Sequence, residues 1–90
     1  MSNQTIWKTP LEITDEQILY VPRGSNIIHV GVQSEQLYAW YLCSPDNENV
    51  MRRIYIVGTG NPMPVAKTLK SIGTVLIGQF VWHVFDGGDA

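Results

Sequence analysis

Side-chain character alternates with a period of two residues along most of this 90-residue chain, and that alternation constrains the fold more than any other feature. Successive side chains of a β-strand point to opposite faces of a sheet, so this period is typical of strands. Clusters of glycine, proline, asparagine and serine separate the alternating segments and indicate turns. The sequence therefore predicts a mainly β fold, a small antiparallel sheet or barrel-like domain of about six or seven strands with at most one short helix.

The first half of the chain predicts two short strands followed by a hairpin. The short strands cover residues 4–8, which Pro10 is expected to stop, and residues 18–21. The hairpin joins Asn26–Gln33 to Gln36–Cys43 through a loop of two or four residues.

The predicted hairpin has one aliphatic face and one aromatic face. On the aliphatic side we expect these cross-strand pairs: Ile28 with Tyr41, Val30 with Ala39, and Val32 with Leu37. On the other side we expect His29 beside Trp40 and Gly31 beside Tyr38. The first face is the natural core, whereas the second is unusually aromatic for a surface left in water.

The second half of the chain predicts a strand over residues 50–57, a short helical segment and a closing hairpin. One or two helical turns are expected after Pro64, where apolar residues recur at helical spacing: Val65, Leu69 and Ile72. The closing hairpin joins Ile72–Ile77 to Phe80–Phe85 through a type II′ turn at Gly78. It sets these pairs opposite each other: Thr74 and His83, Val75 and Trp82, Leu76 and Val81, Ile77 and Phe80. The tail, residues 86–90, is expected to fray.

A chain of 90 residues forms one domain, and a small domain buries a smaller fraction of its surface than a large one. Small domains often need a disulfide, a metal ion or another subunit for stability. The single Cys43 cannot form an internal disulfide, and the chain has no CxxC or HxxxH spacing, so neither a metal site nor a cofactor is expected. Both faces of the closing hairpin are largely apolar, so we expect a second subunit to cover one of them in a homo-oligomer.

The formal net charge of −2 and the isoelectric point of about 5.5 argue against a nucleic-acid-binding protein, which usually carries a strong basic excess. They leave room for a small phosphate ligand held by a few local arginines. The sequence predicts neither a signal peptide nor an apolar run long enough to span a bilayer. We therefore expect a reduced, cytoplasmic setting, with no membrane and no nucleic acid among the partners.

The stretch from Gly58 to Asn61 is a candidate for ligand contact. Gly58 and Gly60 allow backbone N–H groups to turn toward an anion, and Thr59 adds a hydroxyl group. The stretch lacks the GK[ST] ending of a Walker loop and the GxGxxG spacing of a dinucleotide-binding helix. An ordinary turn at a strand end, in which glycine supplies a positive φ, is the other interpretation.

Three arginines, Arg23, Arg52 and Arg53, are candidate phosphate ligands. Arg52 and Arg53 are consecutive in a predicted strand, so they point to opposite faces and one of them lies on the more buried face. A buried guanidinium group needs either a carboxylate or a ligand phosphate as its partner. The carboxylate candidates within the chain are Glu12, Asp15 and Glu16. Arg23 lies in a tight turn, where it either reaches across a subunit boundary or remains in solvent.

No pattern in the sequence predicts a catalytic site. His29 and His83 lie in predicted strands among aromatic residues, where a histidine is usually packed. No serine, cysteine or carboxylate is placed as the partner of a nucleophile. Cys43 follows an apolar strand and is expected to be a small core residue. We therefore expect that the protein is not an enzyme.

Four parts of the chain, which together cover most of its length, resemble a small uncharacterised domain family that is common in phage and prophage genomes. They read IWKTPLEITDEQ (6–17), VPRGSNIIHVGVQ (21–33), RRIYIVGTGNPMP (52–64), and SIGT followed by FVWHVFD (71–86). Members tend to share the LEITDEQ opening, an R-x-I strand running into GTG-x-P, and a C-terminal (W/F)HVF, in this order. The resemblance implies a viral or prophage accessory protein of the host bacterial cytoplasm, and it implies no particular activity.

In that setting we expect an anti-defence binding protein that sequesters a nucleotide-derived immune signal, of the cyclic nucleotide or cyclic ADP-ribose type, in pockets between subunits. Arginines and loop amides would hold phosphates, and aromatic rings would stack on bases for about 1–3 kcal/mol per base. The candidate ligand-binding residues are Arg23, Tyr38, Trp40, Arg52, Arg53, Gly58, Thr59, Gly60, Asn61, Trp82 and His83.

Two alternatives remain open at this point. One is an anti-CRISPR-like protein–protein inhibitor of a host defence complex, which would bind through the aromatic face around Tyr38 and Trp40. The other is a minor virion or structural accessory protein.

Overall fold

The structure, a computed structural model, describes residues 3–90, which form seven antiparallel β-strands and no helix. The strands are β1 (Thr5–Pro10), β2 (Glu16–Pro22), β3 (Asn26–Gln33), β4 (Gln36–Cys43), β5 (Asn49–Gly58), β6 (Lys70–Ile77) and β7 (Phe80–Asp89). They form a three-stranded sheet in the order β1-β4-β3 and a four-stranded sheet in the order β2-β5-β7-β6. The predicted mainly β fold is confirmed.

One hydrophobic core joins the inner faces of the two sheets. The three-stranded sheet contributes, among others, Val30, Ala39 and Tyr41, and the four-stranded sheet contributes Ile54 and Val84. Burial of each aliphatic side chain of this kind stabilises the fold by about 1.5–3 kcal/mol. The alternation in the sequence therefore places one face of each strand from β2 to β7 in the core, whereas β1 contributes no buried residue.

The closing hairpin has the predicted register, with Val75 opposite Trp82 and Thr74 opposite His83. Its turn begins at Gly78, which has the positive φ (61°) that a type II′ turn requires at its first central position. The strands themselves extend further than predicted, since β6 begins at Lys70 and β7 continues to Asp89.

The first hairpin differs from its prediction at one position. The pairs from His29–Trp40 onward are as predicted, but a β-bulge between Ile27 and His29 places Ile27 opposite Tyr41. Ile28 is the extra residue and is exposed, so the prediction that it faces Tyr41 in the core is wrong. A bulge shifts the register without leaving a signal in the alternation, because both isoleucines are equally apolar.

The predicted helical turns after Pro64 are absent. Residues 59–69 form an irregular loop, here called the strap, that crosses the outer face of the four-stranded sheet and helps to bury Tyr55 and Val57. Prolines favour extended backbone in the residues that precede them, which disfavours a helix in this segment. Val65 is fully exposed and Ile72 lies in β6 against the core, so these residues do not share one helical face.

The C-terminal residues belong to the sheet. Asp86 and Asp89 lie in β7, and the N–H group of Ala90 donates a hydrogen bond to the carbonyl oxygen of Met51 at 2.8 Å. The prediction that residues 86–90 fray is therefore wrong. The segment is glycine-rich and acidic, which is typical of a flexible tail, but its carboxylates form ion pairs with the buried Arg52.

Candidate functional site

The glycine loop lies at the end of β5, beside β7, and there it meets two more of the predicted site residues. A Cβ atom on Gly58 would come within 2.9 Å of Asn61 Nδ2 and 3.2 Å of the Trp82 ring. Only glycine permits this close approach, because any side chain at position 58 would displace both neighbours. Gly58, Asn61 and Trp82 therefore form one packed unit.

His83 fastens the loop to the sheet. Its Nε2 atom lies 2.7 Å from the hydroxyl oxygen of Thr59, and its Nδ1 atom lies 3.0 Å from the hydroxyl oxygen of Thr74. Both ring nitrogens are thus engaged by threonine hydroxyl groups, and the ring bridges the loop and β6. This geometry gives His83 a structural role at the edge of the site.

The backbone amides of the loop are largely committed to internal hydrogen bonds. The N–H group of Thr59 donates to the carbonyl oxygen of Val81 at 3.2 Å, and that of Asn61 donates to the carbonyl oxygen of Gly58 at 3.0 Å. Gly60 has φ +89°, as expected for a turn closed by the latter bond. An anion nest needs successive free N–H groups, and this turn has used two of them.

Two adjoining cavities, of about 360 and 410 Å³, flank Gly58, Asn61 and Trp82, and together we call them the loop groove. On one side the groove is lined by Asp15, Ile56, Val57, Pro62 and Pro64. On the other side it is lined by Thr59, Gln79, Phe80 and Val81. Each cavity lies in the size range of small-molecule sites, which are mostly apolar with a few placed polar groups.

The loop groove offers hydrogen-bonding groups but no positive charge. Within residues 3–90, neither the carboxamide of Asn61 nor the indole N–H of Trp82 has a hydrogen-bond partner. The only ionisable side chain among the lining residues is that of Asp15. The groove thus combines an aromatic wall with neutral donors and acceptors.

Arg52 lies away from the groove, in the core, and is fully paired. Its guanidinium group donates to Asp86 Oδ2 at 3.1 Å, to Asp89 Oδ1 at 2.8 Å and to the carbonyl oxygen of Ser25 at 2.9 Å. The residue is only 7% exposed. The prediction that one of the two consecutive arginines is buried and paired with a carboxylate is thus correct. Its carboxylate partners, however, lie in β7 and not among residues 12–16.

The other two arginines are exposed and paired on the surface. Arg23 bonds Glu48 at 2.9 Å across two turns, and Arg53 lies 3.4 Å from Glu16 on the outer face of the four-stranded sheet. Glu16 is one of the predicted carboxylate partners, whereas Glu12 and Asp15 pair with no arginine among the described residues. The structure therefore brings none of the three arginines to the loop groove.

Tyr38 and Trp40 lie on a different surface, the outer face of the three-stranded sheet. The Tyr38 and Trp40 ring centroids are 6.2 Å apart, and the His29 ring lies 5.6 Å from that of Trp40. The Nζ atom of Lys8 lies 4.5 Å from the Tyr38 ring centroid and donates a hydrogen bond to Gln33. We call the side chains of this surface the aromatic face: Ile6, Lys8, His29, Tyr38, Trp40 and Leu42.

The sequence reasoning missed eight residues that line the groove: Asp15, Ile56, Val57, Pro62, Pro64, Gln79, Phe80 and Val81. The two prolines directly follow the glycine loop, and Phe80 opens the strand that carries Trp82, so proximity to predicted residues is a signal for them. Asp15 has no such signal, because only the pairing of β2 with β5 brings it there. The N–H group of Ile56 donates to the Asp15 carbonyl oxygen at 3.2 Å.

Burial raises the pKa of two side chains, those of Cys43 and Tyr41. Desolvation by burial raises the pKa of the Cys43 thiol. Burial also raises the pKa of the Tyr41 hydroxyl, and the nearby Cys43 adds to this effect. Both side chains belong to the core, and the prediction that Cys43 is a core residue is confirmed.

No group of three or more histidine, cysteine, aspartate or glutamate side chains in residues 3–90 is arranged to hold a metal ion. Over the same residues, no helix is long and apolar enough to cross a membrane.

Fold and site together define a small all-β protein with an apolar, cation-free groove beside a glycine loop. Comparison with known families identifies the chain further: residues 2–90 match a domain of unknown function, DUF7352. The chain belongs to this family. No curated protein and no solved structure matches it.

Proposed function

We propose that this protein is a binding protein and not an enzyme, and that its loop groove takes the flat heterocycle of a small ligand, such as a nucleobase. One observation carries the proposal: two unpartnered polar groups, on Asn61 and Trp82, border the same apolar groove. Asn61 is exposed, and no side-chain nitrogen or oxygen atom of residues 3–90 is both buried and unpaired, so these two groups face solvent in the free protein and are available to bond a ligand.

The chemistry of the groove suits a base more than a phosphate. A carboxamide presents a donor and an acceptor side by side, which matches the edge of a nucleobase. Stacking of the base on an indole such as that of Trp82 contributes about 1–3 kcal/mol. Asp15 adds an acceptor for an exocyclic amine and disfavours a phosphate at the same end of the groove.

This proposal retains the nucleotide-derived ligand predicted from the sequence but changes how it is held. Arg52 is neutralised by two carboxylates, so a phosphate would have to displace buried ion pairs to reach it. Any phosphate of the ligand would therefore lie outside the groove, in solvent or against a second subunit. The phage setting, the anti-defence role and the bacterial cytoplasm remain predictions from the resemblance.

Calorimetric titration with paired ligands tests the proposal. Nucleosides of all four bases, their 5′-monophosphates, cyclic dinucleotides and cyclic ADP-ribose isomers are titrated separately into the purified protein. At least one nucleoside is expected to bind as tightly as its phosphorylated form. Failure of every compound to bind, or binding that requires the phosphate, would overturn the proposal.

Two exposed positions provide matched variants for the same titration. Asn61→Ala removes the carboxamide from the groove and is expected to weaken binding about tenfold, the equivalent of one lost hydrogen bond of about 1.4 kcal/mol. Arg53→Ala removes a predicted phosphate ligand that lies outside the groove and is expected to leave the affinity unchanged. The reverse pattern would place the ligand at the arginine.

A protein–protein inhibitor is the second candidate function, and the composition of the aromatic face favours it. Tyrosine and tryptophan are enriched and acidic residues depleted in the cores of protein interfaces, and this face contains Tyr38 and Trp40 but no carboxylate. Stoichiometric capture of one host protein that is lost in Trp40→Ala, with the circular dichroism spectrum unchanged, would support this function. Equal capture of the host protein by the wild-type protein and by Trp40→Ala would exclude the aromatic face as the binding surface.

A further inference from the structure

Strand β1 forms one edge of the three-stranded sheet, and the hydrogen bonding of its C-terminal end fixes the direction of its backbone groups. The N–H group of Leu11 donates to the carbonyl oxygen of Leu37 at 2.9 Å, directly after the Pro10–Tyr38 pair. Residues of an antiparallel strand alternate between those bonded to the neighbour and those turned away from it. The odd-numbered residues of β1 therefore bond β4, and the N–H and C=O groups of Ile6 and Lys8 point to the open side.

Pro10 belongs to the same outward-pointing set as Ile6 and Lys8. A proline has no N–H group, and proline is tolerated at a sheet edge where its nitrogen faces away from the neighbouring strand. Its position limits the free ladder to a short segment centred on Trp7. An edge of this kind can pair over a few residues but cannot extend into an open-ended array.

The side chains of β1 leave apolar surface exposed at this edge. Trp7 lies on the inner face of the sheet, edge-on against the buried Tyr41 ring at 6.4 Å, yet it is 43% exposed. Ile6, on the outer face, is 54% exposed. An indole on the core side that remains nearly half in water indicates that the core is incomplete at this edge.

We propose that two copies of the chain pair through β1, antiparallel and in register about Trp7, to form a continuous six-stranded sheet. In this register Ile6 lies opposite the partner's Lys8, so their outward-facing backbone groups form four hydrogen bonds across the two-fold axis. Trp7 lies opposite the partner's Trp7, and the two indoles extend the core across the axis.

The other registers of the same pairing are less favourable. A pairing centred on Lys8 sets two ammonium groups opposite each other, and directly opposed like charges destabilise a sheet. A pairing centred on Ile6 sets Trp7 opposite Thr5 and leaves the indoles apart. Only the register centred on Trp7 joins the indoles and separates the lysines.

At the edge formed by β2, as at β1, the even-numbered residues turn their backbone N–H and C=O groups to the open side. In contrast to β1, the inward-facing side chains of β2 are already buried. The N–H group of Arg23 donates to the Glu48 carbonyl oxygen, which turns the even-numbered residues of β2 to the open side and ends the ladder at Pro22. Its inward-facing Leu19 and Val21 are already buried within one chain. A second copy would therefore cover less unsatisfied core surface at β2 than at β1.

Proline substitution at an outward-facing position tests the pairing. Sedimentation equilibrium over a dilution series is expected to show the wild-type protein at twice its chain mass of 10.1 kDa. Lys8→Pro removes an N–H group that points away from β4, so a folded monomer is expected. Lys8→Ala keeps that N–H group and is expected to remain a dimer. A monomeric wild type, or a dimeric Lys8→Pro variant, would overturn the proposal.

Disulfide cross-linking gives a second measurement that does not depend on how Lys8→Pro folds. Across the two-fold axis Trp7 faces its copy in a non-hydrogen-bonded pair, where Cα atoms lie about 4.5 Å apart, within the range of about 4.4–6.8 Å that a disulfide spans. Oxidation of Trp7→Cys is expected to give a covalent dimer, while Thr9→Cys, on the same face but off the axis, is not. Cross-linking through Tyr20→Cys on β2 instead would place the interface at the other edge and overturn the proposal.

Discussion

Replacement of Arg52 by alanine should destabilise this protein more than the loss of any exposed side chain. The guanidinium group compensates Asp86, whose side chain is only 14% exposed, and satisfies the buried carbonyl oxygen of Ser25. Removing one partner of a buried ion pair costs about 3–5 kcal/mol, because the remaining charge stays buried without compensation. A domain of this size has a total stability of roughly 5–13 kcal/mol, so this loss is a large fraction of it.

Urea denaturation followed by tryptophan fluorescence measures this loss, and Asp89→Asn is the matched control. Asp89 bonds the same guanidinium group but its side chain is 48% exposed, so its neutralisation should cost about 1 kcal/mol or less. For Arg52→Ala the melting temperature should fall by more than about 12 °C, at about 4–8 °C per kcal/mol. A free-energy loss below about 1 kcal/mol for Arg52→Ala would refute the view that Arg52 is a structural residue and would reopen its assignment to a ligand.

Further predictions concern the packing of the sheet and the strap. Gly87→Ala should destabilise the fold by about 1–3 kcal/mol, because the new Cβ would lie 2.5 Å from Tyr55 Cε2; a melting temperature equal to that of the wild type would contradict this. His83→Phe should raise amide hydrogen exchange in the glycine loop by removing both threonine contacts, and unchanged exchange there would show that they do not hold the loop. The stability contributed by Cys43 should be fully present below its ordinary pKa of 9.0 and should fall as the pH rises above it, because the unfolded thiol ionises there while burial raises the pKa of the folded one. Urea midpoints measured from neutral to alkaline pH test this, and equal loss in Cys43→Ala would assign the effect to other groups.

The closing hairpin shows what the sequence predicts well. A glycine in the turn and apolar residues on both strands allow one register that pairs Val75 with Trp82, and the structure has that register. Local geometry is sufficient here because the interacting residues are close together along the chain. The turn of the glycine loop is also local, since the N–H group of Asn61 bonds the carbonyl oxygen of Gly58, but its packing beside Trp82 comes from the pairing of β5 with β7 and was not predicted.

Long-range partners explain the errors. Asp86 reads as part of a polar tail, and only the pairing of β5 with β7 brings it to Arg52, 34 residues away in the sequence. The apolar spacing of Val65 and Ile72 suits a helix, but the strap packs on the sheet and the prolines within it favour extended backbone. Neither the partner of a buried charge nor the course of a loop over a sheet is encoded in local periodicity.

Long-range strand pairing also explains why the predicted ligand residues lie on several separate surfaces. The sequence indicated which residue types bind nucleotides, and arginines, glycines and aromatic residues are all present. Strand pairing then placed Arg52 against carboxylates in the core, Trp40 on the aromatic face and Trp82 in the loop groove. A residue list drawn from chemistry alone contains no information about which members share a surface.

The central claim, that the loop groove is the ligand site, is tested most directly by the indole N–H signals in a ¹⁵N–¹H correlation spectrum. The chain has three tryptophans, and they lie on separate surfaces: Trp7 at the β1 edge, Trp40 on the aromatic face and Trp82 in the groove. On titration with a nucleoside that binds, the Trp82 signal and the amide signals of Gly58 and Asn61 should shift together while those of Trp7 and Trp40 stay in place. A shift of the Trp40 signal with Trp82 unmoved would contradict the claim.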